Sequence, residues 1–511
     1  MNLIDRMIGT VAPRWAFNRV RFRSALAAYE AAEPSRLRKQ RPDNRSGDAL
    51  TAKAGSTIRG YARQQEQNYD LAEGILATLV DNVIGPHGIT VEPQPRDTDG
   101  KLLVDFAKQI QDLRKDWMRK PEVTWEHDWP ACERLIARAW FRDGEALLQE
   151  LKGLVPTLQH GTIVPYSIEL IEADMLPMSL NDQAEGITQG VERNAWGRPL
   201  AYHLLKEHPG DLNFTHLYQD TKRVPADNIL HPKIVKRFKQ ARGVSIFAPM
   251  MRRLEDIKDY EESERVAARI AAAFCAYIRK GSIDDYPGID DGETDRTFKV
   301  KPGTIFDTLK PGEDIGTVDS NRPSSLLEGF RDSMVRMLAA ASRGTFSSIA
   351  RKYDGSYASQ RQELVEGYVA YKALSMLFAG LVSYPVHRGL IDMAVLSGKL
   401  KLPPNLDRTT LHDAECRGPS MPWIDPDKEA KANERLERSG HKSSQQNIRD
   451  RGGDPRAVMD EIAAWRELAD EKGLIFTTDP KHELVPQVAE QTIEESEAEG
   501  GANQKGEFNE D

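Results

Sequence analysis

Asp143 and Glu145 stand two residues apart around Gly144, where the chain reads as a turn entering a strand. Paired carboxylates can do general acid–base work when a histidine, a lysine or a metal ligand stands beside them. No such partner sits at a matching spacing, so this pair reads as turn chemistry. His203 and His208, five apart around a strand end, are poorly placed to hold one metal. Asp284, Asp285, Asp290, Asp291 and Asp295 have the composition of a calcium loop but not EF-hand spacing, and read as a solvated tip. His87, His231 and His387 read as structural or exposed. The run SSIARKY (Ser347–Tyr353) sets hydroxyls beside Arg351 and Lys352 with no base or orienting group. The patterns GxxxxGK[ST], HExxH, GxSxG and a strand-linked GxGxxG are missing. The expectation is no catalytic residue, no cofactor and no metal.

The elements around these residues point to assembly. The chain has 511 residues, 39% hydrophobic and 29% charged, which suits an extended or oligomeric protein. Cys132, Cys275 and Cys416 lie far apart, which points to a reducing compartment and no disulfide framework. No unbroken apolar run reaches the roughly 18 residues needed to cross a bilayer, so no membrane partner is expected. A net charge of −9 argues against a tight, phosphate-driven grip on a duplex.

Arg223–His231 reads as a turn and strand. From Ser245, a capping residue, the chain reads as one long helix over about Phe247–Arg279, with Pro249 in its first turn. Its middle is charged on nearly every face, which suits lateral packing between copies rather than a private core. The subunit-interface candidates are therefore Arg252, Arg253, Glu255, Asp256, Lys258, Glu261, Glu262, Glu264 and Arg265. Upstream, helical patterns cover Gln67–Val83, Leu102–Met118 and Trp129–Arg142. Strand patterns cover Ile89–Glu92, Glu145–Leu151, Tyr166–Glu172, Ile187–Glu192 and Leu200–Leu205. Downstream come strands at Thr304–Leu309 and Glu313–Val318, an apolar helix over Leu326–Ala341, and a long helix from Glu363 to Gly398 kinked at Pro385. Asp425-Pro426 and Asp454-Pro455 each open a further helix.

The run RVPADNILH, QARGVSIFAPM and AAAFCAYI resembles the lambda-type family of tailed-bacteriophage portal proteins. LAEGILATLVDNVIGPHGITVEP (Leu71–Pro93), DGEALLQ (Asp143–Gln149), IELIEADML, GVERNAWGRPLAYHLL, KPGTIFDTLKPGEDI, SYASQRQELVEGY and MPWIDPDKEAKA follow that family's order over about residues 60–460. The resemblance implies an α+β portal-protein fold with an α/β wing, a long stem helix, a clip and a helical, crown-like C-terminal region, assembled as a ring. The expected divisions are a basic mobile arm over 1–60, wing over 61–243, stem helix over 244–280, and clip-proximal loop with return strands over 281–325. Long helices over 326–400 would carry a tunnel-loop candidate at 344–358, followed by a crown-like region over 401–485 and a disordered acidic tail over 486–511.

The resemblance also implies a structural, non-enzymatic role: a channel at one capsid vertex through which double-stranded DNA is packaged and ejected. About a dozen copies would form the ring, in the virion and in host cytoplasm during assembly. Terminase large subunit, head-completion or connector proteins, and major capsid and scaffold proteins would be the partners. By position in or beside the tunnel-loop segment, Arg343, Arg351, Lys352 and Arg361 are the DNA-facing candidates. Another head-completion or minor capsid protein, or a DNA-processing enzyme with an unrecognised site, is the alternative reading.

Overall fold

Ser46 starts the first helix by accepting a hydrogen bond from the Ala49 amide, and α1 runs Gly47–Asn68. The computed structural model describes residues 43–211, 220–272, 276–280, 313–317, 327–421, 425–474 and 476. Helix α1 corrects the expectation of a mobile arm reaching residue 60. Its buried residues are Thr51, Gly55, Arg59, Ala62 and Gln65. That stripe has helical spacing but is polar and small, so hydrophobic periodicity does not detect it.

Helix α2 (Asp70–Val83) is the central apolar helix, with Leu71, Ile75, Leu76, Leu79 and Val83 all buried. Strand β1 (Thr90–Pro93), α3 (Val104–Trp117) and α4 (Trp129–Asp143) follow. Asp128 caps α4 by accepting from the Ala131 amide, and Pro130 sits in its first turn, where an amide hydrogen is not needed. Trp117 and Trp129 meet with ring centroids 5.2 Å apart, and these side chains join the core around α2.

Two antiparallel sheets make up most of the β-structure. In one, β2 (Leu147–Lys152) lies between β3 (Tyr166–Ile171) and β8 (Ile229–Leu230). In the other, β4 (Ile187–Thr188), β5 (Val191–Arg193), β6 (Pro199–Leu205) and β7 (Thr221–Pro225) pair in sequence order. The single strand expected over Ile187–Glu192 is a hairpin instead. Gln189 and Gly190 have φ of 51° and 81°, left-handed values that turn the chain back on itself.

The stem expectation is also corrected. Helix α5 spans Met251–Ala272, not 244–280, and Ala276–Lys280 is a strand, β9, paired antiparallel with β10 (Glu313–Thr317). Tyr277 and Ile278 favour the extended pleat. Phe247, Met250, Leu254 and Ile257 are buried, so this segment has a private core contact after all. Of the other expected return strand, Thr304–Leu309 lies outside the described residues, as do the Asp-rich loop at 281–300 and the tail over 486–511.

Helix α6 (Leu327–Ser342) packs on α5, where Tyr260 meets Phe330 edge-on at 4.9 Å and Arg331 Nε reaches Glu261 at 2.7 Å. A short α7 (Phe346–Ala350) leads to α8 (Tyr357–Phe378), a π-helical turn (Ala379–Ser383) and α9 (Tyr384–Leu396). The break lies upstream of Pro385, because the proline ring crowds the carbonyl four residues back and leaves it without a donor. The stretch Tyr357–Leu396 is long and apolar enough, by length and composition alone, to cross a bilayer. Strand β11 (Ala414–Arg417) returns to pair with β1. It is followed by α10 (Pro426–Arg438), α11 (Ser444–Asp450) and α12 (Pro455–Glu471). Glu92 of β1, almost fully buried, ties this end down through Arg417 at 2.9 Å and Arg449 at 3.1 Å.

Candidate nucleic-acid interface

The connection between α6 and α8 holds the DNA-facing candidates. It is not a loose run of small residues. Thr345 donates its amide to the Tyr371 hydroxyl at 3.3 Å, and the Ser347 amide donates to Glu363 at 3.0 Å. A Cβ on Gly367 would lie 2.3 Å from Thr345 Cγ2, so α8 can approach this segment only through a glycine. Ile349 is buried, and the Arg336 guanidinium lies 4.8 Å from the Phe346 ring centre. The part of the 344–358 candidate that is pinned is thus the helical turn α7. The exposed part runs from Tyr353 to Ala358.

Arg343 and Arg351 mark the two ends of α7, with φ of 62° and 52°. Such backbone is uncommon for a side-chain-bearing residue and turns the chain sharply at each point. Both are exposed, as is Arg361 on the first turns of α8. None of the three takes part in an ion pair among the described residues. Lys352 differs from them. Its Nζ lies 2.6 Å from both Glu328 and Asp332, and 3.4 Å from Asp354. Those carboxylates raise its pKa, and they fasten the connection to α6 rather than leave an ammonium free for phosphate.

The interface candidates on α5 divide in the same way. Glu261 is engaged by Arg331, and Glu264 is buried. Arg252, Arg253, Glu255, Asp256, Lys258, Glu262 and Arg265 form no ion pair among the described residues.

Behind these surfaces lies a buried charge network that the sequence hid. Glu145 is fully buried and receives Arg242 Nη2 at 2.6 Å, Arg59 Nη2 at 2.6 Å, the Gly243 amide at 2.7 Å and His231 Nε2 at 3.1 Å. Arg242 also donates to the carbonyls of Ala173, Leu176 and Gln189. Burial would raise the Glu145 carboxyl, but Arg242, His231 and Arg59 outweigh it and hold it well below the carboxylate range. Asp143, its neighbour, takes a two-pronged bond from Arg63 at 3.0 and 2.9 Å. The crossing is as tight as backbone allows, since a Cβ on Gly144 would sit 2.2 Å from the Val244 carbonyl carbon. Neither carboxylate is turn chemistry. They join α1, the α4–β2 junction and the lead into α5.

Burial drives the His231 pKa down to about 4 against the pull of its bond to Glu145, with Lys233 and Arg242 nearby adding to the depression. The folded chain therefore holds His231 neutral, whereas the unfolded chain protonates it near 6.5. Stability from this group is fully present above pH 6.5 and is lost as pH falls toward 4, at up to about 1.4 kcal/mol per pH unit. Urea melts at pH 7, 5.5 and 4.5 are expected to show that slope. His231→Gln, which keeps a donor for Glu145 but does not titrate, is expected to flatten it. An unchanged slope in the variant would place the acid sensitivity elsewhere.

One three-ligand set occurs among the described residues: atoms of Glu172, Asp174 and His208 lie within 4.8 Å of one another. Arg63 Nη2 already reaches Asp174 at 2.6 Å and Glu172 at 3.5 Å, and Arg59 reaches Asp174 at 3.1 Å. Two guanidiniums against these carboxylates leave little attraction for a cation. His203 sits instead 3.5 Å from Glu192.

A family model described as phage portal protein, lambda family, matches residues 33–374. A probable portal protein of Halomonas phage phiHAP-1 is 26% identical over 436 residues, spanning 82% of this chain and 82% of that protein. Among solved structures, a chain from the neck of an empty gene transfer agent particle aligns with a TM-score of 0.48 at 12% identity, over 80% of this chain and 94% of that one. A chain from the virion of a native gene transfer agent particle aligns at 0.45 and 13% identity, over 83% and 97%.

Proposed function

This chain belongs to the lambda family of phage portal proteins, and from that premise we propose how its residues serve a DNA channel. Copies close into a ring at one capsid vertex, and double-stranded DNA is packaged and ejected through the centre. The family match over residues 33–374 is the observation that carries this reading, and it is a structural role rather than a catalytic one. The ring takes about a dozen chains and assembles in the host cytoplasm. Terminase large subunit and the head-completion or connector proteins dock on it, and major capsid and scaffold proteins surround it.

Within that ring, the segment around α7 faces the passage. Arg343, Arg351 and Arg361 supply sparse cationic contacts, while Lys352 keeps the segment on α6. Weak contact suits a conduit. Each phosphate neutralised adds about one unit to the salt dependence of binding, so many such contacts would stall a moving duplex. On the ring's flanks, the α5 charges that form no ion pair among the described residues, Arg252, Arg253, Glu255, Asp256, Lys258, Glu262 and Arg265, pair laterally with a neighbour. Each exposed pair is worth only ~0.2–1 kcal/mol, enough to set register but not to hold the ring.

Replacing Arg343, Arg351 and Arg361 together with alanine is expected to leave assembly unchanged and to alter packaged DNA length or retention. Phage particles assembled with the variant and assayed for genome content check this. Normal packaging with all three changed removes the channel assignment of this segment.

A further inference from the structure

Helix α8 is apolar on both sides, and only one side packs against a partner among the described residues. Gly367, Tyr371, Leu374 and Phe378 face the core. The opposite side presents Val365, Val369, Met376 and Leu377, exposed by 43, 65, 63 and 51%, with Ala373 between them. These residues recur three and four apart and form one stripe over several turns. Glu366 and Lys372 are its only charges between residues 365 and 380. Scattered exposed side chains need no explanation, but a continuous apolar surface of more than roughly a few hundred Å² marks an interaction site.

The same chain carries a matching groove. Gly329, Asp332, Ser333, Arg336, Met337 and Ala340 line a depression of about 450 Å³ on α6. Its small residues, at helical spacing, leave room for the ridge of a second helix. Among the described residues Arg336, exposed in this depression, has no ion-pair partner, and Glu366 on the α8 stripe accepts only the Gln362 side-chain amide. The charges at the two surfaces are complementary.

We propose that the outer stripe of α8 in one copy docks into the α6 groove of the next, with Glu366 facing Arg336, and that this seam supplies the adhesion of the ring; the inference rests on the ring reading above. In the protomer α6 packs on α5 and α7, and α8 packs on α2. Ridge and groove are thus different patches, and a contact between them is head-to-tail, the kind that closes into a ring when the rotation permits. A bilayer does not suit the stripe, because the inner face of α8 is fixed to a core that also buries Glu133 and Arg114.

The test uses the full chain. Val369→Glu combined with Met376→Glu changes only exposed positions, so the thermal melt should hold while assembly, read by sedimentation, shifts at least roughly tenfold in concentration. In a second arm, chains carrying Val369→Cys and chains carrying Ser333→Cys are mixed and treated with a short bismaleimide. A covalent dimer from the mixture, absent from either chain alone, is expected, and this arm decides if the double-Glu variant misfolds. Rings from wild type and from the double-Glu variant alike, with no dimer in the mixture, would overturn the seam and leave the ring reading intact. A monomeric wild type would sink the ring reading itself, and its capture by phosphatidylcholine–phosphatidylglycerol vesicles would assign the stripe to a membrane.

Discussion

Glu145→Ala is expected to destabilise the protein by about 3–5 kcal/mol, the cost of breaking a buried pair while leaving its partner charged. The change strands the Arg242 guanidinium and takes from Arg59 one of its two carboxylates. Arg242 is fully buried, and Arg59 is 3% exposed. The Gly243 amide and His231 lose their acceptor as well. Glu145→Gln keeps the shape and one acceptor oxygen, so its loss is expected to be smaller but still larger than for an exposed pair. Urea denaturation at pH 7 measures both. A loss below about 1 kcal/mol for the alanine variant, the range of surface pairs, would show that Arg242 and Arg59 reach solvent when released. The same network joins α1 to the lead into α5, so a destabilised variant is also expected to assemble poorly.

A chain beginning at residue 61 is expected to lose the native fold, and one beginning at residue 43 to keep it. The difference is most of α1. Asp48 accepts from the Ala241 amide at 2.6 Å and from Arg193 at 2.7 Å, and its carbonyl accepts from Gln189 at 2.8 Å. Thr51 meets Gln189 at 3.1 Å, and Arg59 meets Glu145 at 2.6 Å. Removing these groups uncovers Gln189 and Arg242 and leaves Glu145 with one guanidinium. Soluble yield and thermal melting of the two chains check this. A cooperative melt from the shorter chain would mean that α1 only decorates the surface.

The reach of α1 was not legible because sequence periodicity detects apolar faces, and this helix buries Thr51, Gly55, Arg59 and Gln65. Glu145 was misread for a related reason. Its partners Arg59 and Arg242 are distant in sequence, and nothing local distinguishes a turn carboxylate from a buried one. Apolar burial is legible where the stripe is uninterrupted, as on α2. The α2 stripe and the Asp425 and Asp454 caps fall where their patterns predict. At α5 the error was one of extent. An unbroken run without glycine reads as helix, yet Tyr277 and Ile278 lie in a strand whose partner is more than thirty residues downstream. The segment over 344–358 reads as a small-residue loop, and its helical turn at Phe346–Ala350 is not visible in the sequence. Lys352 looked like a free cation because Glu328 and Asp332 lie a full helix away in sequence.

Electron microscopy of the purified full-length protein, paired with native mass measurement, tests the central claim most directly. The account predicts closed rings of one stoichiometry with a central hole wide enough for a DNA duplex. Monomers, or open filaments with no closed species at any salt concentration, would contradict it.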